Sequence, residues 1–477
     1  MTRSHSTTAA PADPSLPGLI QAERFIQNGK LKEAAGLLNQ MQTQVTGDPR
    51  IFMMGMRLAE AAGQPEAALK AARHAVKIAP HWAPAVLDLA LLLARQNQFG
   101  EAATEAQKAV ALAPEHLPTL QGAIDVAHRA GYSALALEFL PRAIELAAPN
   151  NRLLQTQMAQ DLSAVGQHAQ AIALFTELLS TQPEDVIALQ GRAGAFLALD
   201  DKASAQADWQ QLVSLEPTNE NFGYHLAVAS GQTPSTQPVS MPRQLFDAMA
   251  SVYDQHMVRG LRYQLPKKVA DWILATYPDR KTNVLDLGCG TGLLGVCLGR
   301  LDGFLIGVDV SEKMIEQAAR HGVYDRFHTV NVLDALQATP ADLYEVITAL
   351  DVFIYVGDLT LAIPNAQRIV KPGGRFVFSC ERALETEADC MLRPSNRYAH
   401  KQSHIEQLCH SAGFAEVTVE NTTIRFEGSE PIDGFLVVAR KAAEGETVSS
   451  NAEAASPKPK AVRKPRVSKK KDAGETT

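Results

Sequence analysis

The sequence predicts an all-α solenoid followed by an α/β domain built on a mostly parallel sheet. Three observations carry that reading: a repeat of 34 residues in the first half, short apolar runs alternating with helical stretches in the second, and a glycine-rich loop joining one such run to a helix. With 477 residues, the chain exceeds the roughly 100 to 200 residues of one ordinary domain, so several are expected. It is 46% hydrophobic and 20% charged with a net charge of -7, which excludes a uniformly basic nucleic-acid-binding protein. The opening MTRSHSTTAAPADPSLPG lacks the apolar run of a secretory signal, and no later stretch is apolar enough for a membrane helix. The five cysteines (Cys289, Cys297, Cys380, Cys390 and Cys409) lack zinc-type spacing and read as free thiols of a reducing compartment. A cytoplasmic protein with no membrane partner is expected.

The repeat comes first along the chain. A turn residue is followed five positions later by alanine at Gly29/Ala34, Gly63/Ala68, Asn97/Ala102, Gly131/Ala136, Gly166/Ala171 and Asp200/Ala205, in steps of 34, 34, 34, 35 and 34 residues. Prolines 80, 114, 149, 183 and 217 close most units, where one helix must stop before the next begins. Alanine at a fixed place in each second helix lets neighbouring helices approach, and stacking buries what no single unit could. This pattern resembles tetratricopeptide repeats, two antiparallel helices per unit, in about six units over residues 16–220. The resemblance departs from the family in the displaced Pro49 of the first unit and in most aromatic positions. It implies a protein or peptide partner on a concave face.

Residues 221–242 are expected to form a linker, because ASGQTPSTQPVSMPR is rich in Ser, Thr, Gln and Pro. From there NVLDL, FLIGVDV, VITALDVF, RFVFSC, EVTVE and FLVVAR read as strands separated by helices, giving a domain over residues 243–441. Residues 442–477 contain almost no large apolar side chains and are expected to be disordered. Eight cations lie between Lys458 and Lys471, so nucleic acid is a candidate partner only through this basic tail.

The stretch NVLDLGCGTGLLGVCL carries two overlapping signatures. Gly290, Gly292 and Gly295 spell the dinucleotide fingerprint, whereas Asp286 with Gly288, Gly290 and Gly292 spells Asp-x-Gly-x-Gly-x-Gly. A carboxylate at Asp286 repels a pyrophosphate but suits the cationic sulfonium and ammonium of S-adenosylmethionine (SAM). Asp309, ending the next strand, can accept from both ribose hydroxyls, but NAD enzymes use such an acid too. Residues alone therefore leave both cofactors open.

LDLGCGTG, GVDVSEKMI, DVFIYVGDL and IVKPGGRFVFS follow in order and spacing the motifs of class I SAM-dependent methyltransferases, which decides for SAM. QLFDAMASVYDQHMVRGLRYQLP and PSNRYAHKQSHIEQLCHSAGF resemble the bacterial branch that carries tetratricopeptide repeats ahead of the catalytic domain. The resemblance implies a Rossmann-like domain with a seven-stranded sheet whose last strand, within GFLVVARK, is antiparallel. It also implies that Gly288, Gly290 and Gly292 admit the methionine part and ribose, that Asp286 lies near the amino group and that Asp309 holds the ribose. Val310 and Met314 would flank the adenine, with Asn331 or Asp334 at its amino group. Asp351 and Val352 would line the cofactor, and Tyr253 would close over it.

Methyl transfer from a sulfonium is an in-line displacement, so alignment in a water-poor site supplies much of the acceleration. His400, Tyr398 and His256 are the candidates for catalytic contact with the acceptor, and Arg397 or Arg262 for binding an anionic one. Glu381 is a weaker acceptor-site candidate, and Cys289 reads as a small filler of the glycine loop. The expected function is methyl transfer to an unidentified acceptor recruited by the repeats. The alternatives are a small-molecule methyltransferase whose repeats serve oligomerisation, and a SAM-binding scaffold without turnover.

Overall fold

A helix ends most cheaply where the chain can enter the left-handed region, and the repeated turn positions do so. Gly29, Gly63, Asn97, Gly131, Gly166 and Asp200 all have positive φ, between 58° and 81°; Asn and Asp are the side chains that tolerate this conformation best. The alanines five residues on (34, 68, 102, 136, 171 and 205) are completely buried. The computed structural model describes residues 13–45 and 47–446. Among these, the first half contains thirteen helices, twelve of them, α1 to α12, in six pairs between Leu16 and Leu215. The prolines at 80, 114, 149, 183 and 217 each follow a helix end by two or three residues. Capping carboxylates fix several starts: Asp185 accepts from the Ala188 amide and Asp201 from the Ser204 amide. Each helix packs on the next, and α3 (Pro49–Ala61), α5 (Ala83–Arg95) and α7 (Leu117–Arg129) also touch in sequence. The apolar faces merge into continuous clusters.

The linker expected at 221–242 is corrected. The chain divides into two compact units after Gln232; α13 (Glu220–Ala229) completes the helical unit, and α14 (Ser240–Met249) belongs to the second. Thr236 even forms a bridge with Val356. Polar composition here reflects short elements with one buried face: Phe222 and Tyr224 anchor α13.

In the second unit the order is α14, a π-helix (Gln255–Gly260), α15 (Leu265–Thr276), β1 (Val284–Leu287), α16 (Leu293–Leu298), β2 (Leu305–Asp309), α17 (Glu312–Ala319), β3 (Arg326–Thr329), α18 (Val332–Ala338) and β4 (Tyr344–Ala349). It continues through a short 3-10 turn (Phe353–Tyr355), α19 (Ala362–Ile369), β5 (Val370–Ala383), β6 (Cys390–Leu392), β7 (Tyr398–Lys401), α20 (Gln402–Ser411), β8 (Phe414–Glu427) and β9 (Glu430–Lys441). The strands β3-β2-β1-β4-β5 are parallel neighbours, and β9 lies antiparallel between β5 and β8. Both faces of the central strands are buried, as a parallel sheet requires. Leu285 and Leu287 enter one core and Val284 the other.

Two features differ from expectation. The sheet has nine strands among the described residues instead of seven. β4 stops pairing at Phe378, leaving the end of the 14-residue β5 with a free edge, and β7 pairs there at Glu381–Ala383 while β6 pairs β7. β3 is the strand absent from the apolar runs, because its RFHT faces solvent along most of its length and only its backbone pairing with β2 defines it. Of the tail expected to be disordered, residues 447–477 lie outside the described residues, and the described start is tied back by Glu446 to Arg440.

Candidate functional site

Every parallel strand here ends on the same side of the sheet, so the loops after β1, β2 and β4 converge. The first is 288-GCGTG-292, where Gly288 has φ 68° and a Cβ at that position would lie 2.4 Å from a Val352 methyl. Only glycine fits between the two loops. The second loop begins at Asp309, whose carboxylate accepts from the Gly290 amide and from the Ser311 amide, both at 2.9 Å. Burial pushes its pKa up, against the pull of these backbone donors. Ser311 caps α17 by accepting from the Met314 amide at 3.1 Å and donates to Asp247 of α14 at 2.6 Å. The first helix of the unit is thereby latched to the second loop, and Arg243 adds a bond to the Val310 carbonyl. Thr291 in the glycine loop bonds Asp254 at the start of the π-helix.

These loops line one pocket at the ends of the strands. Of the residues expected at a cofactor, Tyr253, Gly288, Gly290, Asp309, Val310, Met314, Asn331, Asp351 and Val352 line it together. Between the two adenine candidates the geometry discriminates: Asn331 lines the cavity, its Oδ1 capping α18 through the Leu333 amide at 3.2 Å, whereas Asp334 is exposed outside.

Asp286 and Gly292 do not line the cavity. Asp286 is buried and accepts from the Tyr324 hydroxyl at 2.7 Å and the Thr348 hydroxyl at 2.8 Å, so its carboxylate is absorbed by the core. Burial raises its pKa to about 6 despite those donors. Gly292, with φ 86°, caps α16 and packs against Ala318 and Tyr324. Cys289 is buried in the loop with its pKa pushed well up by that burial, consistent with packing.

None of the three catalytic candidates borders the cavity. His400 is 1% exposed, bonds the Gly357 carbonyl through Nε2 at 3.1 Å, and has its pKa pushed down to about 4 by burial, so it is a neutral core histidine. Tyr398 is fully buried with its ring against Gly357, and His256 is exposed on the π-helix. Tyr398, Ala399 and His400 thus belong to β7, an inner strand paired with β5 and β6, which turns Tyr398 and His400 into the protein. Arg262 lies over the Phe426 ring at 5.2 Å.

The structure also brings forward Phe246, Tyr355 and Arg425, which the sequence did not single out. Phe246, Tyr253 and Tyr355 line the cavity with their rings near perpendicular, Phe246 lying 6.0 Å from Tyr253 and 5.5 Å from Tyr355. Beside them Arg425 of β8, 1% exposed, reaches both carboxylate oxygens of Asp351 at 2.7 and 3.0 Å and also pairs with Glu381 and Glu427. Asp351 sits at φ 58°, held by its amide on the Ser379 hydroxyl at 2.8 Å. Burial pushes the pKa of Asp351 and of Glu381 upward, while their charges, with that of Glu427, keep Arg425 protonated against its own desolvation. No local signal announces the role of Arg425: its partners Asp351 and Glu381 lie 74 and 44 residues away.

A mostly parallel sheet, a glycine loop after β1 and an acid closing β2 are the features of a Rossmann-like methyltransferase fold. Residues 278–429 match the family model described as a methyltransferase domain. The chain is 30% identical over 193 residues to a ubiquinone biosynthesis O-methyltransferase from Mesorhizobium japonicum, covering 35% of this chain and 76% of that protein. It spans 42% of the length of the Coxiella burnetii protein of the same name, with 31% identity over 99 residues. Among solved structures it is similar to the magnesium protoporphyrin IX methyltransferase from Synechocystis PCC 6803 with bound SAH, at 20% identity and TM-score 0.35, covering 43% of this chain and 99% of that one. The chain belongs to the class I SAM-dependent methyltransferases. Among the described residues no helix is long and apolar enough to cross a membrane.

Proposed function

We propose that this chain transfers a methyl group from SAM to an acceptor presented by a protein, and that its helical array is a set of tetratricopeptide repeats that recruits that protein. The observation that carries the catalytic half is the convergence of Asp309, Asn331, Met314 and the glycine loop on one cavity between the ends of β1, β2 and β4. The cradle fits the cofactor: a Cβ at Gly288 would fill it, and Asp309 keeps an acid at its wall although two amides hold the carboxylate. In this reading Asp309 binds the ribose, Asn331 accepts from the adenine amino group between Val310 and Met314, and Tyr253 covers the cofactor. When bound, SAM supplies a methyl group on a sulfonium, open to in-line displacement. Phe246, Tyr253 and Tyr355 exclude water and offer ring faces to a cation.

The recruiting half rests on the array: six left-handed turns at near-constant spacing, each followed by a fully buried alanine, give repeated units of the kind that present an extended surface to a peptide. A small-molecule acceptor is the second reading, favoured by the relatives whose names place them in ubiquinone biosynthesis. One experiment separates the two. The full chain, beside an Asp309→Ala control, is incubated with methyl-labelled SAM and an extract of cells lacking it, and polypeptides are separated from metabolites. Enzyme-dependent label on a polypeptide is expected; label confined to metabolites would replace the first reading with the second.

A further inference from the structure

A second pocket, a chamber partly open to solvent, abuts the cofactor cavity. Its walls include Gln237, Pro242 and Tyr355, which also line the cavity, together with Met241, Leu245 and Arg397. A string of ion pairs joins the two spaces: Asp351 at the cavity pairs with Arg425 at 2.7 Å, Arg425 with Glu427 at 3.2 Å, and Glu427 in turn with Arg397 at the chamber. Arg425 keeps a buried Nε–H with no hydrogen-bond partner among the described residues. The Glu427 side chain is 39% exposed and that of Arg397 27%, so this outermost pair, unlike Arg425, is within reach of solutes. Burial would raise the Glu427 pKa, but Arg397 and Arg425 hold it below the usual value, so the carboxylate stays ionised.

Resting on the functional reading above, we infer that the chamber is the acceptor subsite and that it takes an acceptor with an apolar or aromatic body and an oxyanion, a carboxylate or a phosphate, which replaces Glu427 on Arg397. The apolar body lies on Met241, Leu245 and Pro242, and the oxyanion meets a planar guanidinium, the donor geometry that suits it best. Glu427 is the internal stand-in for that anion. Gln237, Pro242 and Tyr355 wall both spaces, so an acceptor held here lies next to the cofactor cavity, where alignment yields rate.

The test is calorimetric, on the full chain saturated with S-adenosylhomocysteine, titrated with benzoate, phenyl phosphate and the uncharged benzamide. Benzoate or phenyl phosphate is expected to bind and benzamide not to; which anion binds more tightly assigns the natural group. Arg397→Met is expected to weaken that anion about tenfold or more, the worth of a charge-assisted hydrogen bond, Arg397→Lys less, and Glu427→Gln to strengthen it. S-adenosylhomocysteine affinity reports whether each variant is folded, and Arg397→Lys replaces Arg397→Met if the latter loses it. Anion binding that is absent in the wild type, or indifferent to both Arg397 and Glu427, overturns the inference while leaving the functional reading intact. Failure of the wild type to bind S-adenosylhomocysteine overturns the functional reading and this inference with it.

Discussion

Gly288 and Asp286 are separated by one residue and do opposite work. Gly288 keeps the cradle open, and alanine there must both enter the left-handed region and displace Val352. Gly288→Ala is expected to weaken S-adenosylhomocysteine binding at least about tenfold, with a loss of stability of about 1–3 kcal/mol. Calorimetry and a thermal melt would measure the two effects separately. Asp286 is a buried acid whose folded pKa, about 6, lies above the ordinary 3.8. The folded state therefore binds the proton more tightly than the unfolded one, so this group favours folding below pH 4, and that contribution is lost as pH rises through about 6. The difference is worth about 3 kcal/mol. Asp286→Asn should flatten the fall in melting temperature between pH 4 and 6; an unchanged slope would show that Tyr324 and Thr348 compensate the buried charge fully.

Within one helix, α11 (Val186–Ala198), two glycines give a matched test of packing. A Cβ on Gly191 would lie 2.2 Å from the Phe175 ring, whereas one on Gly194 would have nothing within 4 Å. Gly194→Ala should stabilise by about 0.5–1 kcal/mol through the entropy of the unfolded chain, and Gly191→Ala should destabilise by about 1–3 kcal/mol by overpacking. Chemical denaturation of both variants would show whether the signs differ. Elements were legible in the sequence where burial imposed a period. The six turn-and-alanine pairs and the fully buried β1 and β2 were read directly, because each buried face demands a residue type at a fixed interval. β3 was missed because its side chains face solvent, and β6 and β7 were not anticipated because their existence depends on the length of β5.

Across the molecule, the division after Gln232 gives each unit its own core. A fragment of residues 233–446 is accordingly expected to bind S-adenosylhomocysteine with the affinity of the full chain, within about twofold, and to lose labelling of the polypeptide acceptor. Full labelling by the fragment would refute recruitment by the array; loss of cofactor affinity would show that the second unit needs the first. The sequence by itself determined that a helical region precedes an α/β domain, the methyltransferase class, and the residues of the loops after β1 and β2, since glycine, an acid at a strand end and a repeat interval are requirements that act over a few residues. Only the tertiary structure decided that Asp286, His400 and Tyr398 belong to the core, that Asn331 and not Asp334 reaches the cavity, and that Arg425 gathers Asp351, Glu381 and Glu427. Burial and ion pairing between residues tens of positions apart depend on how strands are laid side by side, and no short stretch of chain carries that information.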